Sequence, residues 1–380
     1  MAGARLASGQ VPAEGPPDEK VKKVMAHKAM PAPLMGQRSG TGVPGGGRAR
    51  EQSAFGRAMP RGNLAALDLG TNNCRLLIAR PEGDRFVIVD AFSRIVRLGE
   101  GLAASGRLSE AAIERTLAAL SVCADKLRRR RVVLARSVAT EACRQAENGA
   151  AFVERVQRET GIMLDIISPR EEARLAVMGC RTLLERGEGP AMIFDIGGGS
   201  TELVLLEGEA DRLRIIDWLS APHGVVSLAE AVAEHDDGPE GRAAAYAEML
   251  RRMREAFANF AARLPKGGPA RLLGTSGTVT TLASVYLNLP RYDRQAIDGL
   301  IVPAQSMREI AMRLSAMSLD ERIAQPCIGE ERADLVVAGC AILESILDIW
   351  PAERLGVADR GIREGILRAL TDGASSRELG

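Results

Sequence analysis

Aromatic side chains make up only 3% of the 380 residues, histidine occurs three times, and no apolar run reaches 18 residues. So few aromatics leave an aliphatic core, for which a hydrophobic fraction of 46% is ample. The missing apolar run predicts no membrane-spanning helix. His27, His223 and His235 are far apart in sequence, so no zinc spacing and no histidine chemistry is expected. The six cysteines, Cys74, Cys123, Cys143, Cys180, Cys327 and Cys340, form no Cys-x-x-Cys pair. They predict reduced, buried thiols in a cytoplasmic protein rather than a disulfide framework. No GxxxxGK[ST] string is present and no GxGxxG opens a βαβ unit, which excludes a Walker-type site and disfavours a dinucleotide site. A net charge of +1 selects no class of partner.

Residues 1–62 differ from the rest. Eleven glycines and seven prolines accompany ten basic residues and four acids, a charge of +6 against −5 for residues 63–380. No apolar stretch of secretory-signal type occurs there. The segment reads as a disordered basic arm, either without function or in weak electrostatic contact with a polyanion.

Order is expected from Asn63. "NLAALDLG", "CRLLIA" and "FVIVDA" read as three strands, the last two joined by the turn "PEGD". A helix capped by Ser109, the strand "RVVLARS", a helix closed by Gly161, the strand "MLDIIS" and a helix starting at Pro169 follow. The series then restarts. "AMIFDIGGGS", "TELVLLEG" and "LRIIDWLS" are strands again, followed by a helix at 243–263, the strand–turn "RLLGTSGT", the strand "RLGVAD" and a helix through "IREGILRAL". "ALDLGTN" and "IFDIGGGST" thus occupy the same place in two similar series. This duplication predicts two α/β lobes, 63–187 and 188–375, each a mixed sheet covered by helices, with a cleft between them.

Three strand ends carry the chemistry. Gly70, Thr71, Asn72 and Asn73 follow Asp68; Gly197, Gly198, Gly199, Ser200 and Thr201 follow Asp195; and Gly274–Thr278 precedes a helix expected at 278–287. A glycine run alone can be a tight hairpin. Three such turns, one of them at a helix N-terminus, suit an anion cradled by backbone N–H groups and hydroxyls. Asp68 and Asp195 would project one carboxylate per lobe, and with Glu202 they could hold Mg²⁺ through hard oxygen ligands. Glu171 and Glu172, in "SPREEARL", offer a general base, or merely two first-turn acids favoured by the helix dipole. Arg75, Arg144 and Arg332 lie near turns and could bind phosphate oxygens.

The strings "ALDLGTNNCRLLIA", "SVATEACRQAENG", "IISPREEARL", "IFDIGGGSTEL", "GTSGTVTTLA" and "GIREGIL" together closely resemble the exopolyphosphatase/guanosine pentaphosphate phosphohydrolase (Ppx/GppA) family, in order over residues 63–372. The resemblance implies a two-lobed actin-like fold of the ribonuclease H-like α/β class, shared with sugar kinases and heat-shock-protein ATPases. It further implies C-terminal helices that pack back on the first lobe. It implies Mg²⁺-dependent hydrolysis of the terminal phosphate of inorganic polyphosphate, or of the 5′ γ-phosphate of guanosine pentaphosphate in the stringent response. Guanosine tetraphosphate is a further implied ligand, and a homodimer an implied assembly. No membrane and no specific nucleic acid is expected.

The same resemblance picks Glu172 over Glu171 as the base and Asp195 and Glu202 as the metal and water-positioning acids. It makes Gly70–Asn73, Gly197–Thr201 and Ser276, Gly277 and Thr278 the phosphate loops, and Arg75, Arg144 and Arg332 the basic residues near substrate. The first loop reads "GTNNCR" where members commonly carry serine. The extra C-terminal helical domain of long members is not expected within these residues, which favours less processive action on long polymers. A non-catalytic sensor, or a kinase or ATPase of the same superfamily, are the competing readings.

Overall fold

The computed structural model describes residues 62–83, 85–208, 213–232, 238–266 and 270–371. The basic arm read at 1–62 lies almost wholly outside them, as do His27 and His235.

Two sheets repeat one topology. The first has strand order β3-β2-β1-β4-β5, from β1 (Asn63–Leu69), β2 (Asn73–Glu82), β3 (Arg85–Ile95), β4 (Val132–Ala139) and β5 (Leu164–Ile166). The second has β8-β7-β6-β9-β11 with β10 added at its edge, from β6 (Ala191–Ile196), β7 (Thr201–Glu207), β8 (Arg214–Ala221), β9 (Arg271–Thr275), β10 (Ile301–Pro303) and β11 (Arg354–Ala358). In each, an antiparallel meander of three strands leads and later strands join in parallel through helical crossovers, except the edge strand β10, which runs antiparallel to β11. The central strands read as continuous apolar runs because helices cover both faces. The outer strand β3 leaves Val87 and Ile88 exposed.

Among the described residues, eight helices of ten or more residues pack on these sheets. They are α1 (Glu110–Arg129), α2 (Gly149–Thr160), α3 (Pro169–Cys180), α4 (Pro239–Ala261), α5 (Gly277–Tyr286), α6 (Ala304–Ala316), α7 (Val336–Ile349) and α8 (Ile362–Thr371). Ser109 caps α1 by accepting from the Ala112 amide, and Gly161 closes α2 in the left-handed region, as the sequence pattern predicts. Helices α1 and α2 bury their apolar stripes on the outer face of the first sheet, and α4 to α7 do so on the second. Helices α3 and α8 fill the space between the sheets.

The chain crosses between lobes there, one helix before the boundary expected at 187/188. Ala173, Val177 and Cys180 of α3 pack against β6 and β7 of the second sheet. Ile366 and Leu367 of α8, the last described helix, pack against β1, β2 and β4 of the first. A charged, glycine-rich segment marks a linker in sequence, but the apolar stripe of α3 decides where that helix sits.

Glycine makes this crossing possible. A Cβ on Gly179 would lie 1.9 Å from the Gly361 carbonyl oxygen, and one on Gly365 would lie 1.9 Å from that of Leu175. The two backbones touch, so a methyl group must push α3 and α8 apart. Gly365→Ala is expected to destabilise the fold by about 1–3 kcal/mol, as overpacking of a tight core does. Urea unfolding of the variant beside the wild type measures this.

The described residues, from 62 to 371, lie in one compact unit. The fold is two-lobed, actin-like α/β. No helix among the described residues is long and apolar enough to cross a membrane.

Candidate functional site

The leading hairpins of the two sheets carry equivalent positions with different chemistry. In β1–β2, Asp68 faces Arg75 across the ladder; in β6–β7, Asp195 faces Glu202. Directly opposed residues share a sheet face with their Cβ atoms about 5 Å apart. The first hairpin therefore sets a carboxylate beside a guanidinium, and the second sets two carboxylates side by side. Like charges so placed repel unless something positive lies between them.

Both hairpins turn the same way. The Gly70 amide donates to Asn73 O and the Gly197 amide to Ser200 O, each at 2.9 Å. The two turns then touch. A Cβ on Gly198 would lie 3.0 Å from the Asn72 amide nitrogen, and one on Gly199 would lie 2.6 Å from Thr71 Oγ1. The three glycines thus serve loop-to-loop packing as much as any ligand. The start of the helix Val225–Ala231 takes up their carbonyls: Val225 N donates to Gly197 O, Val226 N to Gly198 O and Ser227 Oγ to Gly199 O. Among the described residues nothing accepts from the Gly198 or Gly199 amides, which leaves them for an anion.

The third loop is strained. Ser276 follows β9 at φ 116, a region that a residue with a side chain rarely enters, and its buried hydroxyl has no partner among the described residues. Next to it α5 presents its N-terminus, where free N–H groups and the helix dipole favour negative charge. Arg332 Nη1 donates to Thr281 Oγ1 at 2.8 Å beside this turn.

Helix α3 separates the two candidate bases. Ser168 Oγ accepts from the Glu171 amide and caps the helix, with Pro169 in its first turn. Glu171 then points outward to Arg136 and Arg174, with shortest contacts of 2.8 Å. Burial opposes its charge, but these two arginines hold its carboxyl below the ordinary range. Glu172 points inward, is 6% exposed, and accepts from Arg144 Nη1 at 2.7 Å. Burial first, then the nearby Glu202, push its pKa well above the usual carboxylate range.

The acids form one electrostatic group. Burial, then Asp68, raise Asp195 to about 6. Burial, then Asp195, raise Glu202 to about 7, although Ser200 Oγ and Ser220 Oγ donate to its Oε1 at 2.7 and 2.8 Å. Asp68 is raised by burial against the pull of Arg75 and Arg363, and its buried Oδ1 accepts no hydrogen bond. Folded-state values above the unfolded ones mean that folding binds protons here. This pair's contribution to stability therefore falls as pH rises from about 4 to 7. A bound cation removes the repulsion. Mg²⁺ is accordingly expected to raise the melting temperature more at pH 8 than at pH 5, which calorimetry at both pH values reads out.

One cavity of about 400 Å³ gathers these groups from both lobes. Asp68, Gly70, Thr71, Asn72, Asn73, Arg75, Glu172, Asp195, Gly197, Gly198, Gly199, Ser200, Glu202, Ser276, Gly277, Thr278 and Arg332 all line it. Thr201 and Arg144 do not. The Thr201 hydroxyl donates to His223 O at 2.7 Å. The Arg144 guanidinium binds Glu141, Glu172 and the Ile167 carbonyl, so it orients Glu172 instead of facing the cavity.

The cavity also holds residues that sequence reasoning left out: Glu141, Tyr292, Arg294 and Arg363. Arg363 sits in the string "GIREGIL", just past the turn after β11, a fourth strand end that could have pointed to it. It and Arg75 form no ion pair among the described residues, and burial lowers the Arg363 pKa. Two buried-side guanidiniums without carboxylate partners suit a polyanion. Tyr292 and Arg294 lie between α5 and β10 and carry no local signal.

Among the described residues, no three His, Cys, Asp or Glu side chains close into a metal cage. Mg²⁺ does not need one, since it keeps several waters and uses one or two carboxylates with substrate phosphates. The opposed Asp195 and Glu202, with the orphaned Asp68 oxygen beside them, fit that requirement.

The model of the Ppx/GppA phosphatase family matches residues 77–372. The chain is 32% identical over 320 residues to Exopolyphosphatase 2 of Mycobacterium tuberculosis, covering 81% of this chain and 98% of that protein. It is 30% identical over 312 residues to the guanosine-5′-triphosphate,3′-diphosphate pyrophosphatase of Aeromonas salmonicida, covering 80% of this chain but 59% of that one. The crystal structure of the Aquifex aeolicus member of the Ppx/GppA family superimposes with a TM-score of 0.68 at 29% identity, over 83% of this chain and 100% of that one. An exopolyphosphatase from Cytophaga hutchinsonii does so with a TM-score of 0.73 at 25% identity, over 82% and 98%. The chain belongs to the Ppx/GppA phosphatase family.

Proposed function

We propose that the chain is a Mg²⁺-dependent phosphohydrolase that removes the terminal phosphate of a linear phosphoanhydride, inorganic polyphosphate first and the 5′ γ-phosphate of guanosine pentaphosphate second. The observation that carries this reading is the lining of one cavity by both kinds of group: anion-binding loops with Arg75 and Arg363, and the buried carboxylates Asp68, Glu172, Asp195 and Glu202.

In this reading Gly197–Ser200, Thr71–Asn73 and the α5 N-terminus hold the terminal phosphates through amides and hydroxyls. Arg75 and Arg363 offset their charge. Asp195 and Glu202 hold Mg²⁺, which supplies neutralisation of charge on the phosphoryl oxygens. Glu172 accepts the proton of the attacking water, and Arg144 fixes its carboxylate. Asp68 helps confine the water. The raised pKa of Glu172 suits a base, since a stronger base takes the proton more readily. The ordering of polymer over nucleotide rests on the somewhat greater similarity to the exopolyphosphatase, 32% identity over 320 residues against 30% over 312.

The test is orthophosphate release with Mg²⁺ from long-chain polyphosphate and guanosine pentaphosphate in parallel. Higher kcat/KM on the polymer supports the stated order and the reverse places the protein in alarmone turnover. Tight nucleotide binding without release from either substrate supports a sensor. Transfer of phosphate from ATP to a sugar would replace the hydrolase reading with a kinase.

A further inference from the structure

The segment Val96–Gly101 links the lobes. On one side it props the first phosphate loop: the Val96 and Arg97 amides donate to Asn72 O at 2.8 and 3.0 Å, and the Gly99 amide donates to Thr71 O at 2.9 Å. Gly99 is packed so closely that a Cβ there would lie 2.3 Å from Thr71 Cγ2. On the other side it reaches the second lobe twice. Arg97 Nη1 pairs with Asp334 at 2.8 Å, and the Gly101 amide donates to Glu230 Oε1 at 2.9 Å. Asp334 follows Arg332 by two residues and directly precedes Leu335 and Val336, which also line the cavity. Glu230 sits on the helix whose start holds the glycine loop.

Arg97 occupies the left-handed region at φ 46, which glycine would adopt at no cost. A long side chain kept in a strained backbone is one whose reach matters. Its carbonyl is tied in turn: Arg115 Nη2 donates to Arg97 O and pairs with Glu100, and Arg115 Nε donates to Val96 O. The segment is therefore rigid enough to pass a displacement from Asp334 to Asn72.

We propose that Arg97 is a positioning residue: its ion pair with Asp334 sets the spacing between the Thr71–Asn72 loop and the Arg332 segment, so that the two walls of the cavity meet the same phosphate chain. This rests on the phosphohydrolase reading for its kinetic consequence but not for its structural one. The side chains of Arg97 and Asp334 touch neither the carboxylate group nor the Gly197–Thr201 loop, so their loss should weaken substrate capture and spare the chemical step.

The test uses the full chain with Arg97→Gln, Asp334→Asn, the double variant, and the charge exchange Arg97→Glu with Asp334→Arg, on tripolyphosphate with Mg²⁺. Each single change is expected to raise KM about two- to fivefold, the scale of an exposed ion pair, with kcat within about twofold. The double variant should match the singles, and the exchange should recover most of the loss. Hydrogen exchange without substrate gives a readout independent of activity: the Val96, Arg97 and Gly99 amides should exchange faster in both single variants. Unchanged or additive KM effects would overturn the proposal, and so would unchanged exchange at those amides. If the wild type releases no phosphate, the phosphohydrolase reading fails while the exchange result still decides the coupling.

Discussion

Replacing Glu172 by glutamine is expected to lower kcat for phosphate release by about 10²–10⁴-fold, the usual worth of a positioned base. Substrate affinity should change little. Glutamine has the same shape and keeps an oxygen for the Arg144 hydrogen bond, so the side chain stays in place. What it loses is the capacity to take a proton. Glu171→Gln is the control, because that carboxylate faces Arg136 and Arg174 outside the cavity. It should keep at least about half of the activity and lose at most about 1 kcal/mol of stability, as partly exposed ion pairs do. Steady-state kinetics with equilibrium binding of substrate separates the two effects. The acid limb of the pH–rate profile should also lie above 4.5, because burial and Glu202 disfavour the charged form of Glu172.

Asp195→Asn should have opposite effects on activity and stability. Removing a metal-holding carboxylate is expected to cut turnover at least about 100-fold and to weaken the response to Mg²⁺. The metal-free protein should nevertheless become more stable at pH 8, by about 1–3 kcal/mol, a scale set by the rise of Asp195 from 3.8 to about 6. The gain should fall to a small part of this at pH 4 and vanish at still lower pH, where the carboxyl is neutral in both folded and unfolded chains. Urea unfolding of both proteins without metal, at pH 4 and pH 8, measures it. A loss of stability at pH 8 would mean that Asp195 is held by favourable contacts and not strained by its neighbours.

The sequence pattern reached the hairpins but not the crossing. Asp68, Asp195 and the three turns sit at strand ends, where local apolar runs and glycines announce them, so the cavity's loops were legible without a structure. The choice between Glu171 and Glu172 was not local. It depends on which side of α3 meets the second sheet, and spacing is silent on that. Thr201 and Arg144 show the converse. Both have the right chemistry at the right place in sequence, yet one hydroxyl is used by the His223 carbonyl and one guanidinium by Glu141 and Glu172. Arg97 and Arg294 escape a sequence reading because long-range packing alone gives them their neighbours, whereas Arg363 follows a fourth strand end, after β11, that carries no glycine-rich hydroxyl turn.

The duplicated hairpin frames the rest of the account. One copy offers Asp and Arg across the ladder and the other Asp and Glu, so in the proposed reading a shared backbone plan sets a guanidinium for phosphate in one lobe and a carboxylate pair for Mg²⁺ in the other. The glycine contacts between the loops fix how near the two hairpins come.

The most direct measurement is a crystal structure of Glu172→Gln soaked with tripolyphosphate and Mn²⁺, read by anomalous scattering. The predicted result is one metal peak bound by Asp195 or Glu202, with the terminal phosphate against Gly197–Ser200 and Thr71–Asn73 and within reach of Arg75 and Arg363. Phosphate bound outside this cavity, or metal bound away from both acids, would contradict it.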